Sequence, residues 1–262
     1  MNRPYSDLLA GAEAVAARAA ATLVDMQTRG VETSRKEGRD VVTAADLASE
    51  AIVLEGLRAL TPDAAILSEE AGASGGEASA RWIVDPLDGT VNYAGGLPWF
   101  SVTLAYLEGG RTKIGLVHAP AAGLVARFVD GEVATVNGEA ARVSAVSSLS
   151  DAIVSVMLTS HFADEEVARA AEIIRRLGGV ARGVRIIVSG ALEMVFVASA
   201  RLDAAVSFKA DVVSHAGAMP LVRAAGGRVT RLDGQDSTDE DWVKIASNGL
   251  LHNELLACLA GL

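Results

Sequence analysis

The chain has 262 residues, half of them hydrophobic, and its 33 acidic and 23 basic side chains give a formal net charge of −10. This length and hydrophobicity are typical of one large globular domain or two small ones. The negative balance repels nucleic acid and anionic membranes on average, so neither is expected as a partner. A phosphorylated substrate would also be repelled, unless bound cations reverse the sign of the charge locally.

The sequence has the features of an intracellular protein. Cys258 is the single cysteine, so no intrachain disulfide can form, which fits a reducing cytoplasm. The first residues lack the apolar core and the small-residue cleavage site of a signal peptide. No window reaches the roughly 18 apolar residues of a membrane-spanning helix. We therefore expect a cytoplasmic protein without membrane contact.

The first half begins with two predicted helices and continues with strands. Ser6 is a candidate N-cap for a long amphipathic helix that stops before Gly30. A second helix is predicted from Ala44 to Leu60, since Pro62 prevents it from continuing. Strands are predicted over 64–67, 81–85, 100–107 and 112–118, with further antiparallel strands within 119–147.

The second half mixes strands with helices. Strands are predicted over 153–158, 202–207, 228–232 and 242–246, and helices over 163–177, 190–200, 214–225 and from about 248. Pro220 lies inside one of these helices, so we expect a kink or a later start there. The Ser-rich stretch Ser147–Asp151 is the candidate seam. We therefore expect a single domain over 1–262, with subdomains over about 1–147 and 148–262.

The segment from Trp82 to Thr90, WIVDPLDGT, carries the strongest chemical signal. An apolar run typical of a buried strand ends in Asp85 and Asp88, and a Gly-Thr pair then turns the chain. Carboxylate oxygens are hard ligands suited to Mg²⁺, which is commonly shared with substrate phosphates. The amides of Gly89 and Thr90 could face an anion if they open a helix. The segment therefore indicates metal-assisted phosphate chemistry.

An Asp-rich turn explains the same segment without a metal, because Asp, Gly and Pro are ordinary turn residues. The acidic pair Glu69-Glu70 favours the metal, since it ends the preceding apolar segment and could place more oxygens at one edge of a sheet. Asp46 also has two compatible interpretations: with Thr43 it has the spacing of a helix capping box, or it belongs to the site. Lys36 is most simply a solvated loop charge.

Four segments form one pattern along the chain: Lys36 with 40–46, then 67–72, 82–92 and 223–227. This pattern resembles the inositol monophosphatase family of Mg²⁺-dependent, lithium-sensitive sugar and polyol phosphatases, and it covers nearly the whole chain. The resemblance implies an α/β (α+β) fold, a five-layered α-β-α-β-α sandwich of the inositol monophosphatase/fructose-1,6-bisphosphatase type, usually assembled as a homodimer. The first subdomain would then bind metal, with the Lys36 loop closing over it, and the second would lie on the substrate side.

The resemblance implies a set of metal ligands. Glu69 and Asp85 would bind the first Mg²⁺, with the Leu87 carbonyl as a third ligand. Asp85 would bridge to a second Mg²⁺ that Asp88 also binds, and two or three Mg²⁺ per subunit are expected. Paired metals can stabilise both the attacking and the leaving oxygen of a phosphoryl transfer.

The resemblance also implies catalytic and substrate-binding residues. Gly89 and Thr90 would offer backbone N–H groups to the phosphate, with Asp88 beside them on the substrate. Asp46 and the Thr90 hydroxyl would orient a metal-bound water for in-line attack on phosphorus, and Glu69 belongs to the same catalytic group. Phosphoryl transfer demands mainly positioning and charge compensation, which such residues provide.

The pattern breaks in the second half, where the family has a Trp-Asp pair whose Asp binds the second metal. Val213 and Ser214 stand at those positions. Asp211, three residues upstream, is our first choice for the missing ligand; alternatively Ser214 binds the metal weakly, or the second metal is lost. Ser214 as a simple helix N-cap needs no metal at all. Ser207 likewise replaces the family's acidic substrate-binding residue, so the substrate side differs.

The sequence therefore predicts a Mg²⁺-dependent phosphoric monoester hydrolase for a small polyol or sugar phosphate, with an inositol monophosphate as the first candidate. Histidinol phosphate, fructose 1,6-bisphosphate and a 3′-phosphonucleotide such as 3′-phosphoadenosine phosphate are the alternative substrates. A relative that binds a phosphorylated ligand or a partner protein without catalysis is the second hypothesis, because the expected carboxylate is missing. Asp88→Asn is expected to abolish turnover and leave the fold intact.

Overall fold

The computed structural model describes residues 5–30, 33–35, 41–75, 79–160, 162–208 and 211–262, and for 33–35, 41 and 42 it describes the backbone alone. Lys36, and with it the predicted closure of its loop, lies outside these residues. None of the described helices has the length and apolar character needed to cross a membrane.

Eight α-helices and 15 β-strands form in the described part of the chain. The helices are α1 (Tyr5–Arg29), α2 (Ala44–Leu60), α3 (Thr90–Ala94), α4 (Asp164–Gly178), α5 (Gly190–Ala198), α6 (Val212–His215), α7 (Met219–Ala224) and α8 (His252–Leu259). The strands are β1 (Thr33–Arg35), β2 (Val41–Thr43), β3 (Ala65–Ser68), β4 (Gly72–Ser74), β5 (Ala80–Asp88), β6 (Ser101–Glu108), β7 (Arg111–Ala119), β8 (Leu124–Val129), β9 (Thr135–Val136), β10 (Glu139–Ala140), β11 (Ile153–Val156), β12 (Gly183–Arg185), β13 (Ala204–Ser207), β14 (Arg228–Thr230) and β15 (Lys244–Ser247).

The larger sheet has eight strands in the order β10-β9-β8-β7-β6-β5-β3-β4. β3 and β5 run parallel, whereas the other neighbours run antiparallel. The apolar stripe predicted for α1 is buried, and it shares one core with α2 and with the fully buried Trp82, Leu104 and Leu116 of the sheet. The two helices therefore form an outer layer on this face.

The smaller sheet has five strands in the order β12-β11-β13-β15-β14. α4 and α8 cover its outer face, where Ile173 and Leu255 are buried with Val206. α5 and α7 lie between the sheets, since Leu192 of α5 shares a core with Val117 of the larger sheet and with residues of the smaller one. The layers follow the order α-β-α-β-α, so the predicted five-layered sandwich is confirmed.

The two sheets use separate parts of the chain. Strands of the larger sheet fall within 65–140 and those of the smaller sheet within 153–247, on either side of the predicted seam. The middle layer packs on both sheets. Two subdomains with a boundary near 147 therefore stay a prediction.

The helix predicted over 214–225 is in fact two short helices. α6 ends at His215, α7 begins at Met219, and Pro220 occupies the first turn of α7. Proline has no amide hydrogen, which is tolerated in the first turn of a helix but not in its interior. Of the two expectations at Pro220, the later helix start is confirmed and the kink is not, and residues of the break between α6 and α7 pack against the larger sheet.

Gly217, within this break, lies too close to the larger sheet for a side chain. A Cβ atom there would lie 2.7 Å from the Leu104 carbonyl oxygen and 3.0 Å from Thr103 Cγ2. We expect Gly217→Ala to lower the free energy of unfolding by about 1–3 kcal/mol, because the two backbones must separate. Urea unfolding measures the change. Gly178→Ala is the matched control, since nothing lies within 4 Å of its added Cβ, and an equal loss in both variants would contradict the prediction.

A buried histidine connects α8 to the smaller sheet. His252 Nε2 lies 2.8 Å from Thr230 Oγ1, and its Nδ1 lies 2.7 Å from Ser247 Oγ. Burial lowers the pKa of His252 to about 4, whereas in the unfolded chain the pKa is about 6.5. The unfolded state therefore binds more protons between these values, and the stability from a neutral His252 is lost as the pH falls from about 6.5 toward 4.

We expect acid to destabilise the wild type more than a His252→Gln variant. Between about pH 7 and pH 4.5, the free energy of unfolding of the wild type should fall by up to about 3 kcal/mol more than that of the variant. Chemical denaturation at a series of pH values gives both curves. If the free energies of unfolding of the wild type and the variant fell in parallel with pH, His252 would not be a cause of the loss of stability in acid.

Candidate active site

The parallel pairing of β3 with β5 brings two acidic residues to one edge of the larger sheet. β3 ends at Ser68, which pairs with Val84 of β5, so the next residues of the two strands, Glu69 and Asp85, come together. Asp85 is buried and Glu69 is exposed. Burial raises the pKa of Asp85 well above its ordinary value, and the carboxylates of Glu69, Asp88 and Asp211 raise it further. Four carboxylates thus act on one another at this edge, and their mutual repulsion favours a cation.

The turn after Asp85 is held by its own hydrogen bonds. The Leu87 amide donates to Asp85 Oδ1 at 3.1 Å, and the Thr90 hydroxyl oxygen lies 3.0 Å from the Leu87 carbonyl oxygen. Gly89 has φ +90°, and a Cβ there would lie 2.6 Å from the Trp99 carbonyl oxygen. Only glycine fits this left-handed, closely packed position. Gly89 is also the N-cap of α3, so the Gly89 and Thr90 amides lie at the start of a short helix.

Asp46 caps α2 and also contacts Thr90 of the motif. The Thr43 amide and hydroxyl donate to Asp46 Oδ2 at 2.7 and 2.6 Å, and they complete a capping box at the start of α2. The Thr90 hydroxyl lies 2.9 Å from Asp46 Oδ1. Burial raises the pKa of Asp46, although the hydrogen bonds from Thr43 and Thr90 act in the opposite direction. The cap therefore aims the second oxygen of Asp46 at the motif.

Asp88 is held by the N-terminus of α5. Its carboxylate accepts hydrogen bonds from the Ser189 hydroxyl at 2.5 Å and from the Gly190 and Ala191 amides at 3.0 and 3.1 Å. Burial raises the pKa of Asp88 to about 6, with Asp211 acting in the same direction and the hydrogen bonds opposing both. A metal bound at Asp88 would compete with these hydrogen-bond donors for the carboxylate oxygens of Asp88.

Ser214 lies between two carboxylates. Its hydroxyl oxygen is 2.7 Å from Asp85 Oδ2 and 2.9 Å from Asp211 Oδ2. A hydroxyl has a single hydrogen and donates to one of them, so the other contact needs a proton on that carboxyl group. The raised pKa of Asp85 agrees with this sharing.

Asp211 is the N-cap of α6, because its Oδ1 accepts a hydrogen bond from the Ser214 amide at 3.1 Å. The interpretation of Ser214 as the N-cap is therefore wrong, since the helix begins earlier than the sequence pattern indicated. The structure does bring Asp211 to the side of Asp85, through Ser214. Asp211 as a metal ligand stays a prediction.

Comparison with known proteins identifies the family of this chain. A model of the inositol monophosphatase family matches residues 5–261. The chain belongs to this family. It is 35% identical over 218 residues to the fructose-1,6-bisphosphatase/inositol-1-monophosphatase of Thermotoga maritima, covering 83% of this chain and 82% of that protein.

Two further matches agree in family and fold. The chain is 30% identical over 257 residues to the Nus factor SuhB of Pseudomonas aeruginosa, covering 94% of each. A solved structure of an IMPase from Thermotoga maritima matches with a TM-score of 0.89 at 31% identity, covering 97% of this chain and 96% of that one. The resemblance inferred from the sequence segments is thus confirmed.

The donor set of this inositol monophosphatase family member suits Mg²⁺. The groups at the edge are carboxylate, carbonyl and hydroxyl oxygens, the hard ligands that Mg²⁺ prefers. In the described part of the chain, no three Asp, Glu, His or Cys side chains are close enough together to form a ready-made metal centre. Asp85, Asp88 and Asp211 each accept hydrogen bonds from neighbouring residues instead. The chemistry fits the metal, and binding would exchange some of these hydrogen bonds for metal–oxygen contacts.

The residues that join the motif to α5 were not predicted from the sequence. The Asn92 side-chain amide lies 2.7 Å from the Ile187 carbonyl and 3.1 Å from the Val188 carbonyl. Val188 has φ +61°, which is rare for a β-branched residue and costs roughly 1–3 kcal/mol. Ser189 follows it and contacts Asp88. A Ser-Gly pair before an apolar helix was the signal available in the sequence.

We expect Asp88→Asn to lose both turnover and stability. An asparagine would keep one acceptor oxygen and turn an NH₂ group toward the amide donors of α5, so the free energy of unfolding should fall by about 1–3 kcal/mol. We therefore expect the Asp88→Asn variant to fold but to be less stable than the wild type, whereas the sequence alone led us to expect an unaffected fold. Asp25→Asn is the control, since Asp25 forms an exposed ion pair on α1 that contributes little. Equal urea midpoints for Asp88→Asn and the wild type would contradict this account of Asp88.

Proposed function

We propose that this protein is a Mg²⁺-dependent phosphomonoesterase for a small polyol or sugar phosphate, with an inositol monophosphate as the first candidate. The supporting observation is the 2.9 Å hydrogen bond from the Thr90 hydroxyl to Asp46 Oδ1, at the edge where Glu69 and Asp85 lie. A protein that only bound phosphate would have no use for a hydroxyl–carboxylate pair next to the acidic edge. Membership of a phosphatase family supports the same class of reaction.

The proposal assigns Mg²⁺ to the acidic edge. Glu69, Asp85, Asp88 and the Leu87 carbonyl would hold it, with Asp211 as a further ligand and two or three ions per subunit. When bound, the metal supplies charge compensation for the phosphate and lowers the pKa of water in its first shell. The chain's own net charge of −10 makes such compensation necessary for an anionic substrate.

Asp46 and Thr90 are the proposed water-orienting pair. Two hydrogen bonds from Thr43 hold the Asp46 carboxylate, so its free rotation is restricted and Oδ1 stays beside the Thr90 hydroxyl. The pair places the attacking water in line with the phosphorus–oxygen bond and accepts its proton. The amides of Gly89 and Thr90 bind phosphate oxygens, and Glu69 completes the catalytic group.

Other substrates remain within the same chemistry. The name of the Thermotoga maritima relative includes a fructose-1,6-bisphosphatase activity, which supports fructose 1,6-bisphosphate as the first alternative. Histidinol phosphate and 3′-phosphoadenosine phosphate follow. We further propose a lithium-sensitive homodimer in the cytoplasm, without nucleic acid or membrane partners.

A second candidate function is the binding of a phosphorylated ligand or a partner protein without catalysis. Ser214 favours it, because a neutral hydroxyl stands where the family pattern has a carboxylate. The Pseudomonas aeruginosa relative is named a Nus factor, and this name supports the version of the second function in which the chain binds a partner protein. The negative net charge argues against direct contact with nucleic acid.

Phosphate release from a panel of phosphomonoesters tests the first function against the second. The panel contains inositol 1-phosphate, fructose 1,6-bisphosphate, histidinol phosphate and 3′-phosphoadenosine 5′-phosphate, each with and without Mg²⁺, and with lithium in the active wells. We expect Mg²⁺-dependent turnover of at least one compound. No turnover of any of them by a protein that binds Mg²⁺ would favour the binding role.

Thr90→Val tests the water-orienting pair. The change removes the hydroxyl and keeps the shape, so we expect kcat to fall by about a hundredfold or more. Thr22→Val removes a hydroxyl that bonds only within α1 and serves as the matched control. Steady-state phosphate release measures both variants. A Thr90→Val enzyme with the kcat of the control would refute the role of the pair.

A further inference from the structure

Glu50 of α2 is a buried acidic residue that the proposed reaction does not use. Its Oε1 atom accepts a hydrogen bond from the Ser68 hydroxyl at 2.6 Å and another from the Ala71 amide at 2.9 Å. Burying a carboxylate is costly unless its oxygens are hydrogen-bonded, and these two donors reduce that cost. One oxygen atom of Glu50 therefore joins α2 to the chain at the end of β3.

The two donors lie on either side of Glu69 in the chain. Ser68 ends β3, and the pairing of this strand with β4 makes residues 69–71 the turn between them. Ser68 comes immediately before Glu69, and Ala71 closes the turn. Glu50 thus holds both ends of the turn that carries Glu69, the residue proposed to bind the first Mg²⁺.

The same face of α2 reaches two other parts of the candidate active site. Asp46 lies three residues before Ser49 and four before Glu50, spacings that place side chains on one side of a helix. All three are buried. Asp46 contacts the Thr90 hydroxyl at 2.9 Å, and the Ser49 hydroxyl donates to the Pro86 carbonyl at 2.7 Å. One helix therefore holds the β3–β4 turn and the end of β5 together.

We propose that Glu50 is a positioning residue for Mg²⁺ binding: it holds Glu69 beside Asp85 through the β3–β4 turn, and it acts by its hydrogen bonds rather than by its charge. The inference rests on the proposed Mg²⁺ site. A metal ligand on a turn loses conformational entropy on binding, unless neighbouring contacts already hold the turn in place. Glu50 supplies such contacts from a helix whose start is fixed by the capping box of Asp46.

Calorimetric titration of the full-length protein with Mg²⁺ tests the inference. Glu50→Ala removes the acceptor, so the dissociation constant for Mg²⁺ should rise about tenfold or more, as is typical when a residue that orients a metal ligand is lost. Glu50→Gln keeps a carbonyl oxygen that can accept both hydrogen bonds, so its binding should be close to that of the wild type. Glu55→Ala is the matched control, since it removes a carboxylate from an exposed position on the same helix and should bind Mg²⁺ like the wild type.

The outcomes separate the inference from the proposed function. A wild type that binds no Mg²⁺ would overturn the proposed metal site and the inference with it. A folded Glu50→Ala variant that binds Mg²⁺ as tightly as the wild type, even with a lower melting temperature, would show that Glu50 is only structural. A Glu50→Gln variant as weak as Glu50→Ala would assign the effect to charge and overturn the positioning role. Should Glu50→Ala fail to fold, Ser68→Ala removes the 2.6 Å contact alone, and unchanged Mg²⁺ binding in that variant would overturn the inference.

Discussion

The contact between Asp88 and the N-terminus of α5 is the constraint on which the site depends. Asp88 ends β5 in the larger sheet, whereas α5 lies in the middle layer and packs toward the smaller sheet. Three donors from Ser189, Gly190 and Ala191 converge on its carboxylate. Hydrogen bonds to a charged group are each worth about 1.5–3 kcal/mol, and a helix N-terminus favours negative charge. Asp88, together with Asn92, therefore fixes the motif relative to the rest of the sandwich.

The carboxylates at this edge differ in how far their charge is compensated. Asp88 has the amides of α5, and Asp211 has the amide of Ser214 in α6. Asp85 has one amide and the Ser214 hydroxyl, and it is surrounded by other acids. A cation would therefore gain most beside Asp85.

Local patterns predicted much of this fold. α2 spans Ala44–Leu60 as expected, because its start is a capping box and its end is set by a nearby proline. The sequence also predicted that Glu69 and Asp85 lie at one edge of a sheet, because two consecutive apolar runs each stop in acidic residues. β5 is longer than predicted: it continues to Asp88 through an irregular register against β6. That extension depends on pairing with β6, which the composition of β5 alone does not show.

The sequence by itself determined most of the longer helices and strands, the order of the carboxylates and the capping of Asp46 by Thr43, because these depend on residues a few positions apart. Only the tertiary structure decided that Ser214 lies between Asp85 and Asp211 and that Asp88 holds α5. Ser214 and Asp85 are 129 positions apart, and Asp88 and Ser189 are 101 apart. Hydrophobic periodicity shows which face of an element is buried, but not which helix end will meet which strand end once five layers have packed together.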